Sequence, residues 1–474
     1  MKYKKSTRPF ALKLIGTCFL LMTGSSHATN LMDVYSASID NDPVLGAARA
    51  GYAATQQIVP QARSGLMPSL NANASTSYTD REFPGASVTD PSSIFFGQTV
   101  PDQKFNDHGW NAQLRQPILD MNAWFSLSSA KASVRAAGAN LDATEQQLVV
   151  RVVDAYLNVL RAQDLLDTTA AEEAAVKRQL EQVQQRFDVG LVAITDVLES
   201  QAAYDNSVVR RIQANGDHAI FFETLSTLSG ESYDALDRLS HKLPIVDPNP
   251  RNEQEWVASA LNQNLGIRTA QEQLTAARRT VKARRSGYYP TIDATVTQVH
   301  NVTGLPSGGV FNVDTTDQTV FGLQLNVPIY NGGIVRSRTK EAQALKEQAR
   351  ELLLNQQRTV TRDTRNLFQA VATDVVRVKA RLKAIKSSQS ALDATETGYE
   401  VGTRNIVDVL QAQQRLFSSQ FDYADSRYNY VIDLMLLKQV AGTLIEDDLS
   451  ELNTFTDAQD QVKRLVSLSN SPAR

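Results

Sequence analysis

The chain has 474 residues, of which 42% are hydrophobic and 21% charged, and its formal net charge is −3. This length exceeds that of one ordinary domain, and the acidic balance argues against nucleic acid as a partner. The single cysteine, Cys18, excludes a disulfide framework within the chain.

Residues 1–28 are predicted to be a signal peptide. A basic start precedes an apolar stretch, and Ser26-His27-Ala28 has the small-x-small form of a cleavage site. Cleavage after Ala28 would leave a mature chain that begins at Thr29 and lacks cysteine. Its net charge would be −8, because residues 1–28 carry five basic side chains and no acidic one. A lipid-modified Cys18 is the alternative, but apolar residues continue after it.

The mature chain repeats one pattern twice. Three pairs of similar segments occur in the same order, at offsets of 212, 222 and 211 residues: 186–198 with 398–410, 63–68 with 285–290, and 114–118 with 325–329. Such self-similarity indicates a tandem duplication. We therefore predict a first repeat over 29–250 and a second over 251–445. A C-terminal segment, 446–474, follows, and its last residues, 467–474, are predicted to be disordered.

Each repeat opens with an amphipathic segment, 33–59 in the first and 255–281 in the second, in which apolar residues recur at helical spacing. The period then changes to two. Small or apolar residues alternate with polar ones over 70–75 and over 292–297, which predicts a strand with two unlike faces.

A second strand is predicted in each repeat after a loop rich in Gly, Pro, Ser and Asp. The loops cover 78–106 and 300–317, and alternation returns over 110–115 and over 321–327. Each repeat is therefore predicted to contain a strand pair with a long loop at its tip.

Long helices are predicted after Pro117 and Pro328, which should end the strands because proline cannot donate to the strand ladder. No proline occurs from 121 to about 186 or from 334 to about 398. Each run could form a helix of ~65 residues, about 100 Å long. A heptad seam, which makes helices supercoil, runs along the first: Leu141, Leu148, Val152, Ala155, Val159 and Leu166.

The long helices are predicted to turn back at Gly190 and Gly402, because glycine permits the positive φ of a helix C-cap. Side-chain oxygens of Thr195, Asp196 and Asn405 are predicted to cap the returning helices.

The returning helices are predicted over about 196–228 and 406–437. The second carries two adjacent apolar stripes, one through Val409 and Leu416 and one through Leu410 and Phe417. It should therefore contact neighbours on both sides, as in a closed ring of helices.

Four strands cannot close a barrel, and a membrane tolerates no open sheet edge. No window after residue 28 is apolar enough for a transmembrane helix, and a closed barrel needs at least eight strands. Three copies would supply twelve. The predicted fold class is mixed α+β: a trimeric 12-stranded outer-membrane β-barrel, four strands per protomer, that continues into a long helical coiled-coil tunnel.

The sequence also resembles the family of TolC-type outer-membrane efflux and secretion channels, from about Leu31 to Leu444. The segments that carry the resemblance are Arg186-Phe187-Asp188-Val189-Gly190-Leu191-Val192-Ala193-Ile194-Thr195-Asp196-Val197, Val401-Gly402-Thr403-Arg404-Asn405-Ile406-Val407-Asp408-Val409-Leu410, Arg427-Tyr428-Asn429-Tyr430 and Leu325-Asn326-Val327-Pro328-Ile329-Tyr330-Asn331-Gly332-Gly333.

This resemblance implies a homotrimer in the outer membrane, in contact with its lipid, whose helical extension crosses the periplasm. It also implies two further partners: a periplasmic adaptor (membrane fusion) protein and an inner-membrane transporter of the RND, ABC or MFS class. The implied function is a gated exit duct for drugs and bile salts, and for secreted proteins in type I secretion.

The resemblance further implies a gate at the inner end of the tunnel. Matched by position, its links would join the pairs Asp196 and Tyr399, Thr195 and Arg404, and Gln179 and Glu396. Read from the residues alone, these side chains are ordinary caps and surface pairs beside a turn.

The resemblance places Asp408 in an acidic ring at the channel constriction, where carboxylates concentrate cations. One helical turn on, the family pattern often has a second Asp, but this chain has Gln411, so cation block should be modest. The alternative interpretation of Asp408 is an acid favoured by the positive end of a helix.

No catalytic constellation, cofactor motif or metal-ligand spacing is present in the sequence, so an enzyme is not predicted. A periplasmic coiled-coil adaptor would explain the helices but not four two-faced strands. A trimeric surface adhesin would not explain two strand pairs separated by helical hairpins.

Overall fold

The computed structural model describes residues 29–99, 102–240, 242–304 and 315–464. The predicted signal peptide and the predicted disordered tail, 467–474, lie outside these residues. The described helices are α1 (Leu31–Asn41), α2 (Pro43–Gln56), α3 (Ile58–Ser64), α4 (Met121–Asp188), α5 (Ile194–Ser229), α6 (Glu253–Gln263), α7 (Leu265–Arg285), α8 (Ile334–Glu400), α9 (Ile406–Ala441) and α10 (Glu446–Asn453). The strands are β1 (Ser69–Arg81), β2 (Gln103–Leu119), β3 (Ala235–Leu239), β4 (Thr291–Thr303), β5 (Thr315–Asn326) and β6 (Thr456–Lys463).

The opening segment of each repeat, predicted over 33–59 and 255–281 from apolar residues at helical spacing, is helical but is divided into a series of helices. Asp42 precedes Pro43, which disfavours helical backbone at Asp42. The Asp42 carboxylate accepts the N–H of Leu45 at 2.9 Å and so starts α2. Asn264 likewise accepts the N–H of Ile267 at 3.0 Å and starts α7.

The four predicted strands form one antiparallel sheet in the order β1-β2-β4-β5. Leu114 pairs with Leu70 on one side and Val296 on the other, and Val296 pairs with Phe321. This register puts the apolar residues of all four strands on one face and the polar residues on the other. The two-faced strands inferred from alternation are confirmed.

Proline does not end β2, so that part of the prediction is wrong. Strand β2 continues to Leu119, and its register against β4 shifts between Pro117 and Leu119. A bulge lets the strand pass the residue that cannot donate to the ladder. Strand β5 ends at Asn326, two residues before Pro328.

The long helices are confirmed. Helix α4 has 68 residues and α8 has 67, so each is about 100 Å long at 1.5 Å per residue. Helices α5 and α9 run back beside them, and α9 packs against α8, α4 and α5. Val409 and Leu416, on one predicted stripe of α9, are both buried, as expected of a helix with neighbours on two sides.

The largest apolar core lies midway along the molecule, beside a small sheet that the sequence analysis did not predict. Strand β3 pairs antiparallel with β6, and Thr29 bridges to Leu236 in parallel. Tyr156 on α4 is 1% exposed and donates its hydroxyl to the carbonyl of Asp237 at 2.5 Å. This core joins α1, α4, α5, α9 and α10.

Across the described residues, the helices include no segment whose length and apolarity would suit it to crossing a membrane.

Candidate functional site: the two hairpin turns

The turn between α4 and α5 is a helix C-cap built on glycine. Gly190 has φ +78°, and a Cβ there would meet nothing within 4 Å. The N–H of Leu191 donates to the carbonyl of Arg186 at 2.8 Å, and the N–H of Gly190 donates to that of Phe187 at 2.8 Å. These paired bonds form a Schellman motif, which satisfies the last carbonyls of the helix.

The turn between α8 and α9 has the same construction. Gly402 has φ +79°. The N–H of Thr403 donates to the carbonyl of Gly398 at 2.8 Å, and the N–H of Gly402 donates to that of Tyr399 at 3.1 Å. Both glycines therefore have the positive φ that was predicted for the ends of the long helices.

The two returning helices start differently. Asn405 caps α9 by accepting the N–H of Asp408 at 2.9 Å, as predicted. The predicted cap of α5 by Thr195 and Asp196 is wrong, because the N-cap residue is Ala193 and no side chain bonds there. Thr195 and Asp196 lie in the first turn of α5, where their side-chain oxygens are not used for capping.

An apolar cluster holds the two hairpins together just above the turns. Val183 and Val197 from the first hairpin pack with the second-hairpin residues Ile406, Val409 and Leu416. Burial of each such side chain stabilises the contact by roughly 1.5–3 kcal/mol, so the hairpins form one packed unit.

A polar cavity of about 400 Å³ lies between α4, α8 and α9 beside this cluster. Gln179 and Glu396, one of the predicted link pairs, both line it. They are not hydrogen bonded to each other in the described part of the chain. Gln413, 5% exposed, instead directs its Nε2 at the Oε1 of Glu396, at 3.5 Å.

The side chains of Arg186 and Tyr399 make a direct contact between the two repeats. The guanidinium carbon of Arg186 lies 5.0 Å from the centre of the Tyr399 ring, within the range of a cation–π interaction. The Tyr399 hydroxyl is buried and has no hydrogen-bond partner among the described residues.

Sequence reasoning missed Arg186 and Gln413. The duplication offered one signal for Arg186, because its counterpart in the second repeat is Gly398. A basic side chain in only one copy is not required by the turn itself.

The other predicted links are also unmade in a single chain. Asp196 is half-buried and Thr195 exposed, and neither bonds Tyr399 or Arg404 within the described residues. The nearest carboxylate to Arg404 is that of Asp408, with Nη1 and Oδ2 3.8 Å apart.

The predicted constriction residues lie on α9, one turn apart. The side chain of Asp408 is 38% exposed. Gln411 accepts a hydrogen bond from the Nη2 of Arg415 at 3.4 Å. Arg404, just before α9, and Arg415, on α9, therefore lie on either side of Asp408 in the sequence and reduce the local negative potential.

The sequence matches the family described as "Outer membrane efflux protein" over residues 34–231 and 256–443. It is 32% identical over 452 residues to outer membrane protein TolC of Vibrio cholerae, which covers 95% of this chain and 98% of that protein. The outer membrane protein TolC of Escherichia coli is 33% identical over 93% of this chain and 87% of its own length. Alkaline protease secretion protein AprF of Pseudomonas aeruginosa is 25% identical over 92% of this chain and 89% of its own.

Solved structures show the same fold. The structure of CusC superposes with a TM-score of 0.73 at 16% identity, covering 88% of this chain and 92% of that one. The CmeC outer membrane channel of Campylobacter jejuni gives a TM-score of 0.72 at 16% identity, covering 96% of this chain and 98% of that one. The strand pairs and long helical hairpins are thus arranged as in outer-membrane channels.

Proposed function

Because this chain belongs to the outer membrane efflux protein family, it is an outer-membrane channel for efflux and type I secretion, and we propose that three copies share one closed barrel. The family consists of channel proteins and not of enzymes. Each copy contributes its four-stranded sheet, and the long helices extend the pore across the periplasm.

The sheet carries this proposal, because its two outer strands have no partner in a single chain. Strands β1 and β5 are the ends of the strand order. In a bilayer, unpaired backbone groups each cost several kcal/mol, so an inserted sheet must close. Three sheets joined edge to edge supply twelve strands, which exceeds the eight that a barrel needs.

The two faces of the sheet suit the two sides of a barrel wall. The apolar face carries side chains that are largely exposed in the single chain, among them Leu70 at 71%, Phe321 at 77% and Leu323 at 74%. Lipid would cover these residues, while the polar face would line the pore.

The helical hairpins extend away from the sheet by about 100 Å, so their two turns form the inner end. We place the gate there. In the closed trimer Asp196 binds Tyr399, Thr195 binds Arg404, and Gln179 binds Glu396. This is supported by the side chains of Thr195 and Asp196, which no cap uses, and by the unpartnered hydroxyl of Tyr399. Each bond to a charged group contributes ~1.5–3 kcal/mol.

Asp408 forms an acidic ring at the constriction, and the neutral Gln411 makes its negative charge weaker than that of two acidic rings.

The turns present apolar side chains that are largely exposed: Val189 at 70%, Leu191 at 74% and Val401 at 70%. These suit docking of the periplasmic adaptor, which would couple the channel to an inner-membrane RND, ABC or MFS transporter. The likeness to a protease secretion protein supports the passage of proteins as well as drugs and bile salts.

Fractionation and mass measurement test the assembly. The full-length protein should remain with outer membranes and show the mass of a heat-sensitive trimer in mild detergent. A folded, membrane-inserted monomer would contradict the shared barrel. Recovery in the soluble periplasmic fraction would favour an adaptor instead.

The gate has its own test. Tyr399→Phe with Arg404→Ser should raise single-channel conductance in planar bilayers without changing the trimer on gels. Tyr204→Phe with Arg381→Ser, on the same hairpins but far from the turns, is the matched control. The gate links are excluded if the first variant assembles normally and conducts like wild type.

A further inference from the structure

A second polar cavity, of about 270 Å³, lies where the sheet meets the helices. The end of α7, the start of α8 and the adjoining ends of β4 and β5 form its walls. Arg284 and Arg338 both line it, together with Asp120, Tyr289 and Asn331. Its volume is sufficient for a small oxyanion and several waters.

Both arginines are exposed in the single chain, and Arg284 lies in the last turn of α7. Neither Arg284 nor Arg338 forms an ion pair with any residue of the described ranges. Asp120 is the carboxylate in the lining, and its Oδ1 already accepts the N–H of Ala123 at 2.9 Å. The lining therefore includes two arginines and one carboxylate that is partly engaged, and its net charge is positive.

Helix stability does not account for Arg338. Helix α8 begins at Ile334 with no side-chain cap and no acidic residue in its first turn. The start of a helix carries partial positive charge, so a nearby cation is unfavourable and an anion favourable. An anion in the cavity would offset both the guanidinium charges and this end of α8.

The duplication shows that the fold does not need these arginines. At the offsets of 222 and 211 residues that relate the repeats, Arg284 corresponds to Ala62 and Arg338 to Leu127. The first repeat makes the same strand-to-helix junction with two apolar residues. The two arginine charges at this junction therefore occur only in the second repeat.

The paired strand residues that line the cavity belong to the polar face of the sheet. Thr291 and Asn326, which pair across β4 and β5, both line it. They belong to the same face as Asp293 and Gln324, which also pair. In the proposed barrel this face lines the pore, so the cavity opens to the channel interior at the junction of barrel and tunnel.

We propose that Arg284 and Arg338 form a binding site for phosphate-bearing solutes inside the channel. Guanidinium groups bind phosphate oxygens in paired hydrogen bonds, which are stronger than neutral ones. The site's position in the pore rests on the proposed barrel, whereas the binding itself does not. Three copies would place six arginines around the channel, and a polyvalent phosphate would bind there most strongly.

Calorimetric titration of the full-length protein in neutral detergent with sodium tripolyphosphate tests the site. Wild type should bind saturably. Arg284→Gln with Arg338→Gln should lose about tenfold or more in affinity, as expected from removing charge-assisted bonds. Arg285→Gln with Arg336→Gln is the matched control: it removes two charges from the same helix ends but none from the cavity, and should change affinity by about twofold at most, through screened long-range charge.

The proposal would be overturned by a lack of saturable binding to wild type, or by an equal loss of affinity in the control variant. Retention of a phospholipid by the cavity without binding of tripolyphosphate would also overturn it, because the ligand would then be lipid.

Planar-bilayer recording is the second measurement. Tripolyphosphate should reduce the conductance of wild type and leave that of Arg284→Gln with Arg338→Gln unchanged. If the protein binds tripolyphosphate but forms no pore, the proposed barrel is contradicted and the proposed binding site is not.

Discussion

The guanidinium of Arg186 lies over the ring of Tyr399, with 5.0 Å between the guanidinium carbon and the ring centre. The two residues belong to different repeats, since Arg186 is in the last turn of α4 and Tyr399 in the last turn of α8. The hydroxyl of Tyr399 has no partner among the described residues. In the single chain, Tyr399 therefore contacts Arg186 of the first repeat through its ring and not through its hydroxyl.

Loss of this contact should loosen the gate. A cation–π pair contributes about 0.5–2 kcal/mol, so Arg186→Gln should shift closure by roughly two- to thirtyfold per chain and raise single-channel conductance. Tyr399→Leu should raise it more than Tyr399→Phe, because leucine removes the ring as well as the hydroxyl. Arg178→Gln, which lines the same cavity without stacking on a ring, is the control. Equal conductance of wild type and Arg186→Gln would rule out a role in closure.

Ion flow should respond to Asp408. Asp408→Ala should weaken the cation preference and the block by trivalent cations in planar bilayers, because it removes the proposed acidic ring. Arg404→Ser should strengthen the block, since the Arg404 guanidinium is 3.8 Å from the Asp408 carboxylate. Asp422→Ala, further along α9, should change neither property. If Asp408→Ala behaves like Asp422→Ala, Asp408 is only a helix-end acid.

Replacement of either turn glycine with a residue that has a side chain should destabilise its hairpin. Gly190→Ala and Gly402→Ala should each destabilise the hairpin by about 1–2 kcal/mol, because L-residues disfavour positive φ. A Cβ at either position meets nothing within 4 Å, so the cost is conformational. Gly216→Ala, inside α5 and also unobstructed, should stabilise by about 0.5–1 kcal/mol. In thermal denaturation, Gly190→Ala and Gly402→Ala should lower the melting temperature, whereas Gly216→Ala should raise it.

Stability should also depend on a buried acid pair between α8 and α9. Asp374 is 1% exposed. Burial and the neighbouring Asp433 carboxyl raise the pKa of Asp374 to about 6. Because the folded chain holds this proton more tightly than the unfolded chain, the free energy of unfolding should fall as the pH rises from about 4 to about 6. The loss at neutral pH is on the order of 3 kcal/mol per chain.

Asp374→Asn should therefore narrow the difference in melting temperature between pH 5 and pH 7.5 (roughly the two sides of this titration). Asp422→Asn is the matched control, since Asp422 pairs with Arg381 across the same two helices at 2.5 Å but is partly exposed. An unchanged pH dependence in Asp374→Asn would show that another group is responsible.

The mature protein should begin at Thr29. Its N–H donates to the carbonyl of Ala235 at 3.1 Å, and an amino group produced by cleavage after Ala28 can still make this bond. N-terminal sequencing of protein from outer membranes checks the prediction. A lipid attached to Cys18 would contradict it.

The periodic parts of the fold could be predicted from the sequence. Strand faces and the long helices follow from periods of two and 3.6, and the turns at Gly190 and Gly402 follow from the backbone freedom of glycine. The helix breaks at Asp42 and Asn264 were missed, although Asp42-Pro43 is a recognisable N-cap signal.

Contacts between distant segments could not be predicted in this way. Strand β3 has only five residues, and its partner β6 lies more than 200 residues later, so no local pattern connects them. The stacking of Arg186 on Tyr399 likewise depends on how two repeats pack. The pairs of Asp196 with Tyr399 and Thr195 with Arg404 are not formed among the described residues of one chain, so they remain predictions.

The pairing of β3 with β6 also constrains the order in which the chain can fold. Strand β3 follows the first helical hairpin, whereas β6 follows the second. Thr29, at the start of the described chain, also pairs with β3 through a parallel bridge to Leu236. The first repeat cannot complete its part of the central core until Val462, buried in that core, has been synthesised. Contacts over such a separation carry a loop-closure cost and slow folding. Although the sequence was duplicated, its halves are not independent folding units, and a chain that stops after 445 should expose the apolar face of β3.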